Sequence, residues 1–200
     1  MKKRIILVLV IAALFVSINA NAQIKFGVKA GLNISNMSIE SSGYSVTPNS
    51  ITSFHIGLAV DYAFKPELSI QSGILYSGKG TSVDNPLTGG SDKMAPNYLE
   101  IPVNIAYKLA AGPGKVVLFG GPYLGIGISG QASGVDIKWG SGTGNDLQRT
   151  DLGLNFGAGY EINKFLISAQ YGFSLTNVNA DTNTTVKNKV TGISVAYFFN

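Results

Sequence analysis

His55 is the only histidine in the chain, and it follows Ser53 by two residues. A histidine that takes a proton from a serine is central to many hydrolases, but the pair works only when an acid orients the imidazole. Alternation places His55 on the polar face of a predicted strand, and no serine and acid are placed to complete a triad with it. We therefore expect a structural histidine and a protein that is not an enzyme.

The glycine-rich run Gly140-Ser-Gly-Thr-Gly144 has the composition of a phosphate-binding loop. A nucleotide loop also needs a following lysine and a strand-to-helix context, and neither is present. Asp136, Asp146 and Asp151 surround this run, yet their spacing matches no calcium-binding motif. The sequence therefore predicts no cofactor and no metal site. Trp139, the only tryptophan, either contacts a partner from this loop or folds back onto the loop itself.

The stretch 98–109, YLEIPVNIAYKL, combines ionisable groups with a strict two-residue alternation. One face carries Leu99, Ile101, Val103, Ile105, Tyr107 and Leu109. The other face carries Glu100, Pro102, Asn104 and Lys108. This pattern predicts a β-strand with one apolar side and one polar side. Because proline lacks a backbone N–H, we also expect a bulge or a lumen water at Pro102.

Seven further stretches alternate in the same way, and no helical period follows residue 23. The eight predicted strands are 24–34, 52–64, 68–78, 98–109, 115–129, 150–162, 165–177 and 188–199. The short connections are 65–67, 110–114 and 163–164. The long connections, rich in Ser, Gly, Asn, Asp and Thr, are 35–51, 79–97, 130–149 and 178–187. Since every second connection is short, we expect an all-β, eight-stranded antiparallel up-and-down transmembrane β-barrel with short periplasmic turns and long extracellular loops.

Charged residues make up only 13% of the chain and the mean hydropathy is +0.22, which is apolar for a soluble domain. A basic start (MKKR), an apolar run at 5–16 and the small-residue site ANA at 20–22 predict a cleaved signal peptide over residues 1–22. The alternative is a retained membrane anchor, but the apolar run is shorter than the roughly 20 residues of a spanning helix.

Residues 23–200 are then a single barrel domain in the outer membrane of a Gram-negative bacterium. This part of the chain holds 12 basic and 11 acidic residues and no cysteine. A nearly neutral chain lacks the basic stripe of a nucleic-acid-binding protein, so no nucleic-acid partner is expected. The absence of cysteine excludes a disulfide framework.

If the strands run alternately up and down, one set of aromatic side chains on the apolar faces lies at the same level along the barrel axis, near the short turns. They are Phe26, Tyr62, Phe64, Tyr107, Tyr160, Phe165, Tyr197 and Phe199. Aromatic rings favour the boundary between acyl chains and water, so this set predicts a girdle at the periplasmic interface. Membrane lipid is accordingly the expected partner of the outer wall.

The polar faces then point into a lumen that eight strands leave just wide enough for side chains. The predicted polar network of the lumen comprises Lys25, Lys29, Asp61, Lys79, Glu100, Asn104, Lys108, Asn155, Glu161 and Gln170. Because buried charges need partners, the expected ion pairs are Lys25–Asp61, Lys108–Glu161 and Lys79–Glu100. We interpret the network as a packed plug that rigidifies the barrel. The alternative is a narrow channel or a small-molecule site that uses the lumen.

Short motifs along the chain resemble those of the PorT-like outer-membrane β-barrel family of Bacteroidetes-type bacteria. They are NAQ at 21–23, FGVKAGLN at 26–33, YLEIP at 98–102, GPYLG at 121–125, GLNFGAGY at 153–160 and YGFSLTN at 171–177. The resemblance covers all of the chain after the signal peptide and implies the barrel domain. Its founding member is similar to a component of a protein secretion and gliding system, a role that barrel motifs do not transfer.

The final stretch 192–199, GISVAYFF, resembles the terminal strand that the outer-membrane assembly machinery reads, although Asn200 follows the last aromatic residue. We expect a monomer that acts through a protein partner of its extracellular loops, or as a structural, assembly or secretion-associated component of the outer membrane. A lipid-modifying enzyme would need a catalytic group that faces the bilayer, and the sequence offers none.

Overall fold

The computed structural model describes residues 23–41, 44–46, 48–85, 89–181 and 183–199. Within these ranges the strands are β1 Gln23–Ser41, β2 Tyr44–Val46, β3 Asn49–Ala63, β4 Leu68–Gly78, β5 Thr81–Asn85, β6 Gly90–Ala111, β7 Gly114–Ala132, β8 Val135–Asp136, β9 Thr150–Ile162, β10 Phe165–Ser174 and β11 Thr184–Phe198. In the same ranges no helix has the length and apolar character needed to cross a membrane. The predicted signal peptide, residues 1–22, lies outside the described residues.

Eight of the strands close into one antiparallel ring. Around the wall their order is β1, β3, β4, β6, β7, β9, β10 and β11. The seam between the two ends of the chain is β1 against β11, which pair from Gly27↔Phe198 to Ser41↔Thr184. A ring with every neighbour paired exposes no strand edge in its wall. The predicted eight-stranded antiparallel barrel is therefore confirmed.

The three remaining strands lie at the long-loop end of the barrel. β2 pairs with β1, β5 pairs with both β3 and β6, and β8 pairs with β7. β1, β6 and β7 also run farther than predicted toward this end, so the predicted connections 35–51, 79–97 and 130–149 contain strand. The sequence did not predict these extensions because their residues are polar. A strand that projects beyond the lipid has water on its outer face, so its apolar and polar residues need not alternate.

Alternation sets the two faces of the wall. Along β1 the even-numbered residues from Phe26 to Ile34 are exposed, whereas the odd-numbered residues Asn33 and Ser35 are buried. Large apolar side chains that face outward and remain exposed include Val28, Leu32, Ile34, Ile56, Leu58, Ile74, Val103, Ile105, Leu118, Leu152, Phe156, Ile167, Ile193 and Val195. An apolar surface that runs around a whole ring is what a hydrocarbon environment requires.

Pro102 lies on β6 without the bulge predicted there. Pairing with β7 keeps one register through Pro102↔Tyr123, and the register shift lies instead at Asn97/Tyr98. On the other side the ladder to β4 is interrupted between Ser72↔Val103 and Leu75↔Glu100. The Ser72 hydroxyl donates a hydrogen bond of 2.8 Å to the Pro102 carbonyl oxygen. The wall thus accommodates the missing N–H through an interrupted ladder and a side-chain bond, and its register is unchanged.

Inside the ring, toward the short-turn end, the lumen contains an apolar cluster as well as polar groups. Its buried members are Ala106, Val117, Phe119, Leu166, Ala196 and Phe198. All six lie at inward-facing positions of β6, β7, β10 and β11, which alternate with the outward residues of these strands. Packed apolar side chains thus fill part of the lumen between its polar groups.

The opposite end of the lumen is covered by an outer cap, which we define as segments 137–149, 177–181 and 183–186 with the projecting part of β1. Its buried apolar side chains are Met37, Ile137, Leu147, Val178 and Val186. The Gly140 amide donates 2.9 Å to the Leu147 carbonyl, and the Val178 amide donates 2.8 Å to the Val186 carbonyl. The long connections therefore fold into a small core of their own above the barrel.

Candidate functional site

Lys108 on β6 is the centre of a buried charge cluster near the short-turn end. Its ammonium nitrogen lies 2.7 Å from Asp61 Oδ2 on β3 and 2.9 Å from Glu161 Oε2 on β9. Lys25 Nζ on β1 lies 2.6 Å from Glu161 Oε1, and Gln71 Nε2 donates 2.8 Å to Asp61 Oδ2. Two lysines and two carboxylates thus neutralise one another across the lumen.

The predicted Lys108–Glu161 pair is present in this cluster, but the predicted Lys25–Asp61 pair is not. Lys25 and Asp61 are direct Cα partners in the register of β1 and β3. Their charged ends nevertheless separate, because Lys25 reaches Glu161 and Asp61 is taken by Lys108. An eight-stranded lumen is narrow, so long side chains cross it to strands that are not neighbours in the wall.

A second buried cluster surrounds Lys79, which follows β4 near the long-loop end. Lys79 Nζ lies 2.7 Å from Glu100 Oε2 and 3.2 Å from Asp151 Oδ2. The same nitrogen lies 4.2 Å from the centroid of the Tyr123 ring, within the range of a cation–π contact. The expected Lys79–Glu100 pair is present, with Asp151 as an additional partner.

Asp151 is fully buried and receives several donors besides Lys79. The Ser174 hydroxyl donates 2.6 Å to its Oδ1, and Asn188 Nδ2 donates 3.0 Å to its Oδ2. The Tyr123 hydroxyl lies 3.3 Å from Oδ2. Both carboxylate oxygens of Asp151 are therefore hydrogen-bonded although the group is buried.

Between the two clusters lies a hydrogen-bonded layer that contains Lys29. Lys29 Nζ donates 2.9 Å to Gln170 Oε1, and its ammonium lies 6.0 Å from the Phe119 ring centroid. His55 is buried, and its Nδ1 lies 2.8 Å from Asn33 Oδ1. Asn33 Nδ2 in turn donates 3.1 Å to the Ser77 hydroxyl. His55 is thus a hydrogen-bonded lumen residue whose Nδ1 contacts an amide and not an acid.

The remaining two residues of the predicted network, Asn104 and Asn155, are buried and inward-facing. Each has a side-chain oxygen without a protein hydrogen-bond partner. Two small cavities run beside this layer, of about 40 Å³ next to Asn104 and about 10 Å³ next to Asn155. A cavity of at least ~10–15 Å³ is needed for one water molecule, so these spaces hold a few waters at most and no larger ligand.

Sequence reasoning missed Tyr98, Tyr123, Asp151, Ser174 and Asn188. In the sequence, Asp151 lies among the acidic residues around the glycine-rich run. Its position on the inward face of the predicted strand 150–162 is the signal that could have identified it as a lumen residue. Tyr98 shares the face of Glu100, which is a signal of the same kind, whereas Tyr123 lies in the predicted strand 115–129, where glycines blur the alternation.

The predicted aromatic girdle lies on the outside of the wall near the short turns. Phe64, Tyr107, Phe165 and Phe199 are exposed, between 43% and 54%, and Phe26 is 37% exposed. Tyr62, Tyr160 and Tyr197 are half-buried by their neighbours. Tyr197 connects Phe165 and Phe199, with ring centroids 5.0 and 5.8 Å away. The Tyr160 hydroxyl donates 2.8 Å to the Ala111 carbonyl.

Trp139 folds back onto the end of the barrel. Its ring packs edge-on against Tyr98 with 5.6 Å between centroids, and it lies directly over Gly127, where a side chain would overlap it. The ring borders the apolar core of the outer cap and is only partly exposed. Of the two sequence interpretations of Trp139, packing against its own chain describes its position.

In the described part of the chain, no group of three or more His, Asp or Glu side chains is arranged to hold a metal ion. The site is therefore a set of ion pairs and amides enclosed by a closed wall. Such a wall, apolar outside and polar inside, with short turns at one end and long loops at the other, defines a small transmembrane β-barrel of the outer-membrane type.

Comparison with known proteins supports this class. The chain belongs to the family described as outer membrane protein beta-barrel domain, whose model matches residues 19–180. It is a protein of the outer membrane. No curated protein sequence matches the chain.

Solved structures show the same fold. Neisserial surface protein A (NspA) superimposes with a TM-score of 0.53 at 18% identity, over 90% of this chain and 100% of that one. The outer membrane protein OprG from Pseudomonas aeruginosa gives a TM-score of 0.51 at 14% identity, over 90% of this chain and 95% of that one.

Proposed function

We propose that this barrel acts through its outer cap, which presents a folded surface to a protein partner outside the cell. In this proposal the lumen network is a rigid support, the protein is a monomer, and it catalyses no reaction. The observation that carries the proposal is the buried core of the outer cap, because binding residues concentrate on loops that a rigid scaffold holds in position.

The order within the cap supports a binding role. Lys138 and Asp146 close a small loop, in which the Lys138 amide donates 2.8 Å to Asp146 Oδ2 and the Asp146 amide donates 2.9 Å to the Lys138 carbonyl. The Gln148 amide joins this loop to the neighbouring segment by donating 2.8 Å to the Val178 carbonyl. A preorganised surface loses less conformational entropy when it binds.

A cap replacement tests the proposal. Residues 138–146 are exchanged for a Gly/Ser linker of equal length, and whole cells carrying the variant are compared with cells carrying the natural protein in a binding assay against host or bacterial surface proteins. We expect loss of binding while the purified barrel still migrates as a compact, heat-modifiable band. Exchange of the short turn 112–113 is the matched control and leaves binding intact.

Retained binding after cap replacement would contradict the proposal. It would favour a structural or assembly role in the membrane, in which the barrel wall and not the cap contacts other components of the membrane.

The packed lumen predicts an absence of conductance. With an apolar cluster, two ion-pair clusters and only small cavities in its path, the lumen offers no continuous water column. In planar-bilayer recordings we expect no steady current above that of the lipid alone. A steady current that Lys108→Ala or Glu161→Ala alters would contradict the packed plug and favour a narrow channel.

We further propose that the chain lies in the PorT-like branch of its family and that its final strand is read by the outer-membrane assembly machinery. The motifs at 98–102, 121–125 and 153–160 support the first point. The alternating end of β11, with Tyr197 and Phe199 outward, supports the second.

Deletion of the gene, followed by measurement of the amount of secreted protein, tests the secretion-associated role that the family resemblance suggests. Unchanged secretion would contradict that role. For the second point, Phe199→Gln is expected to lower the amount of folded barrel in the outer membrane, and an unchanged amount would contradict it.

A further inference from the structure

The lumen is open at the short-turn end, where it widens into a cavity of about 520 Å³ that we call the periplasmic vestibule. Its lining consists of Lys25, Ala63, Phe64, Lys65, Pro66, Lys108, Lys115 and Glu161. Small-molecule sites in proteins measure about 300–1,000 Å³, so the vestibule has the size of a ligand site. The outer cap covers the other end, and the vestibule therefore faces the periplasm alone.

The vestibule carries more positive than negative charge. Four lysines and one glutamate line it, and Asp61 lies behind Lys108 as a second acid. The pairs described above use Lys25 and Lys108 to neutralise these two carboxylates. Lys65 and Lys115 are exposed and form no ion pair within the described residues. An excess of two ammonium groups therefore remains at one concave surface.

The two unpaired lysines come from different elements that the fold brings to the same opening. Lys65 lies in the turn between β3 and β4, and Lys115 is the second residue of β7 on its inward face. Lys115 is the direct partner of Glu161 in the register of β7 and β9, which places it at the edge of the charge cluster. Exposed Pro66 adds an apolar side to the cavity, whereas the ring of Phe64, a residue at the same opening, packs near Tyr62 in the outer girdle.

We infer that the periplasmic vestibule binds a compact dianion of the phosphate class, held between Lys65 and Lys115. Two positive charges in excess match a doubly charged oxyanion, and lysine binds phosphate as a point charge without a fixed fork geometry. Pro66 offers an apolar contact to the organic part of a phosphate monoester. A dianionic phosphate is offered by two sources, a soluble phosphate compound in the periplasm and the phosphate monoester of a phosphatidic acid headgroup in the inner leaflet.

Titration of the purified full chain with inorganic phosphate tests this inference. The protein is held in a neutral detergent at low salt, and binding is followed by calorimetry. We expect saturable binding that weakens at least about tenfold in the double variant Lys65→Gln/Lys115→Gln, because both charge-assisted contacts are lost. The double variant Lys93→Gln/Lys138→Gln removes two exposed lysines at the opposite end of the barrel and is expected to bind as the natural chain does.

A third variant guards against misfolding. Lys65→Arg/Lys115→Arg keeps both charges and is expected to retain binding, and heat-modifiable migration confirms the fold of every variant. Binding that is not saturable, or that falls equally in the variant Lys93→Gln/Lys138→Gln, would overturn the inference.

Nanodiscs distinguish the two sources. If the headgroup of an anionic lipid occupies the vestibule, inorganic phosphate binds more weakly in discs that contain phosphatidic acid than in discs of phosphatidylcholine, and Lys65→Gln/Lys115→Gln removes that competition. Equal affinity in both kinds of disc assigns the site to a soluble phosphate compound. The titration is independent of cap replacement, so either proposal can fail without the other.

Discussion

The ammonium group of Lys108 is buried inside the barrel, where carboxylates from two other strands contact it. Removing one member of a buried ion pair leaves an uncompensated charge, which typically costs about 3–5 kcal/mol. Asp61 is fully buried and would keep only the Gln71 amide as its partner. Glu161 would still have Lys25.

Lys108→Met is therefore expected to lower the free energy of unfolding by about 3–5 kcal/mol. Urea unfolding in phospholipid vesicles, followed by the loss of heat-modifiable migration, measures it. Lys115→Met, at the same end of the lumen but exposed, is the matched control and is expected to change stability by less than about 0.5 kcal/mol.

Adding Asp61→Asn to Lys108→Met restores much of the loss, since the unpaired carboxylate is then neutral. If the double variant is as unstable as Lys108→Met alone, the cost comes from lost packing of the lysine stem and not from charge.

At the scale of elements, β7 and the outer cap meet at Gly127. The Gly127 amide donates 2.6 Å to the Arg149 carbonyl, and Arg149 Nη1 donates 3.1 Å back to the Gly127 carbonyl. Trp139 covers the same residue, and a side chain at 127 would occupy the space of its ring. Gly127 therefore fixes how closely the cap approaches the wall.

Gly127→Ala is expected to displace Trp139 without opening the barrel. Because Trp139 is the only tryptophan, its fluorescence reports on the cap directly, and we expect a shift of its emission to longer wavelength. Gly120→Ala is the control, since a side-chain carbon there faces outward and lies 3.3 Å from its nearest neighbour. An unchanged spectrum in Gly127→Ala would show that the cap adjusts its position around the added methyl group.

The sequence predicted the strands and their faces well, and predicted the contacts across the lumen only in part. The bounds of β4 and β9 were predicted to the residue, because alternation and turn residues are local signals. The positions of the residues along the barrel axis predicted the ion pairs Lys108–Glu161 and Lys79–Glu100 correctly. The predicted partner of Lys25 was wrong, because a position along the axis does not say how far a lysine side chain extends across a narrow lumen. The cap core was missed because its apolar residues are scattered through polar loops.

At the scale of the whole molecule, the girdle and the cap fix the barrel at one depth in the membrane. Tyr107 is an exposed girdle residue, whereas Trp139 lies in the cap beyond the lipid. Brominated lipids quench a tryptophan only on contact with acyl chains or their boundary. We therefore expect little quenching of Trp139 in the natural chain and strong quenching in the variant Tyr107→Trp/Trp139→Phe. Strong quenching of Trp139 itself would contradict the assigned orientation of the cap above the bilayer.

The pairings across the lumen also determine the order in which the protein can be assembled. Lys25 and Glu161 are 136 residues apart, and Lys29 and Gln170 are 141 apart, so neither contact exists until the last strands have been made. A half-built sheet in the bilayer would present Lys108, Asp61 and Glu161 to hydrocarbon, at a cost of several kcal/mol for each unpaired charge. Intermediates with an open wall are thus penalised within the membrane. The charged interior that stabilises the finished barrel therefore favours insertion as an all-or-none event, in which β11 pairs with β1 as the wall closes.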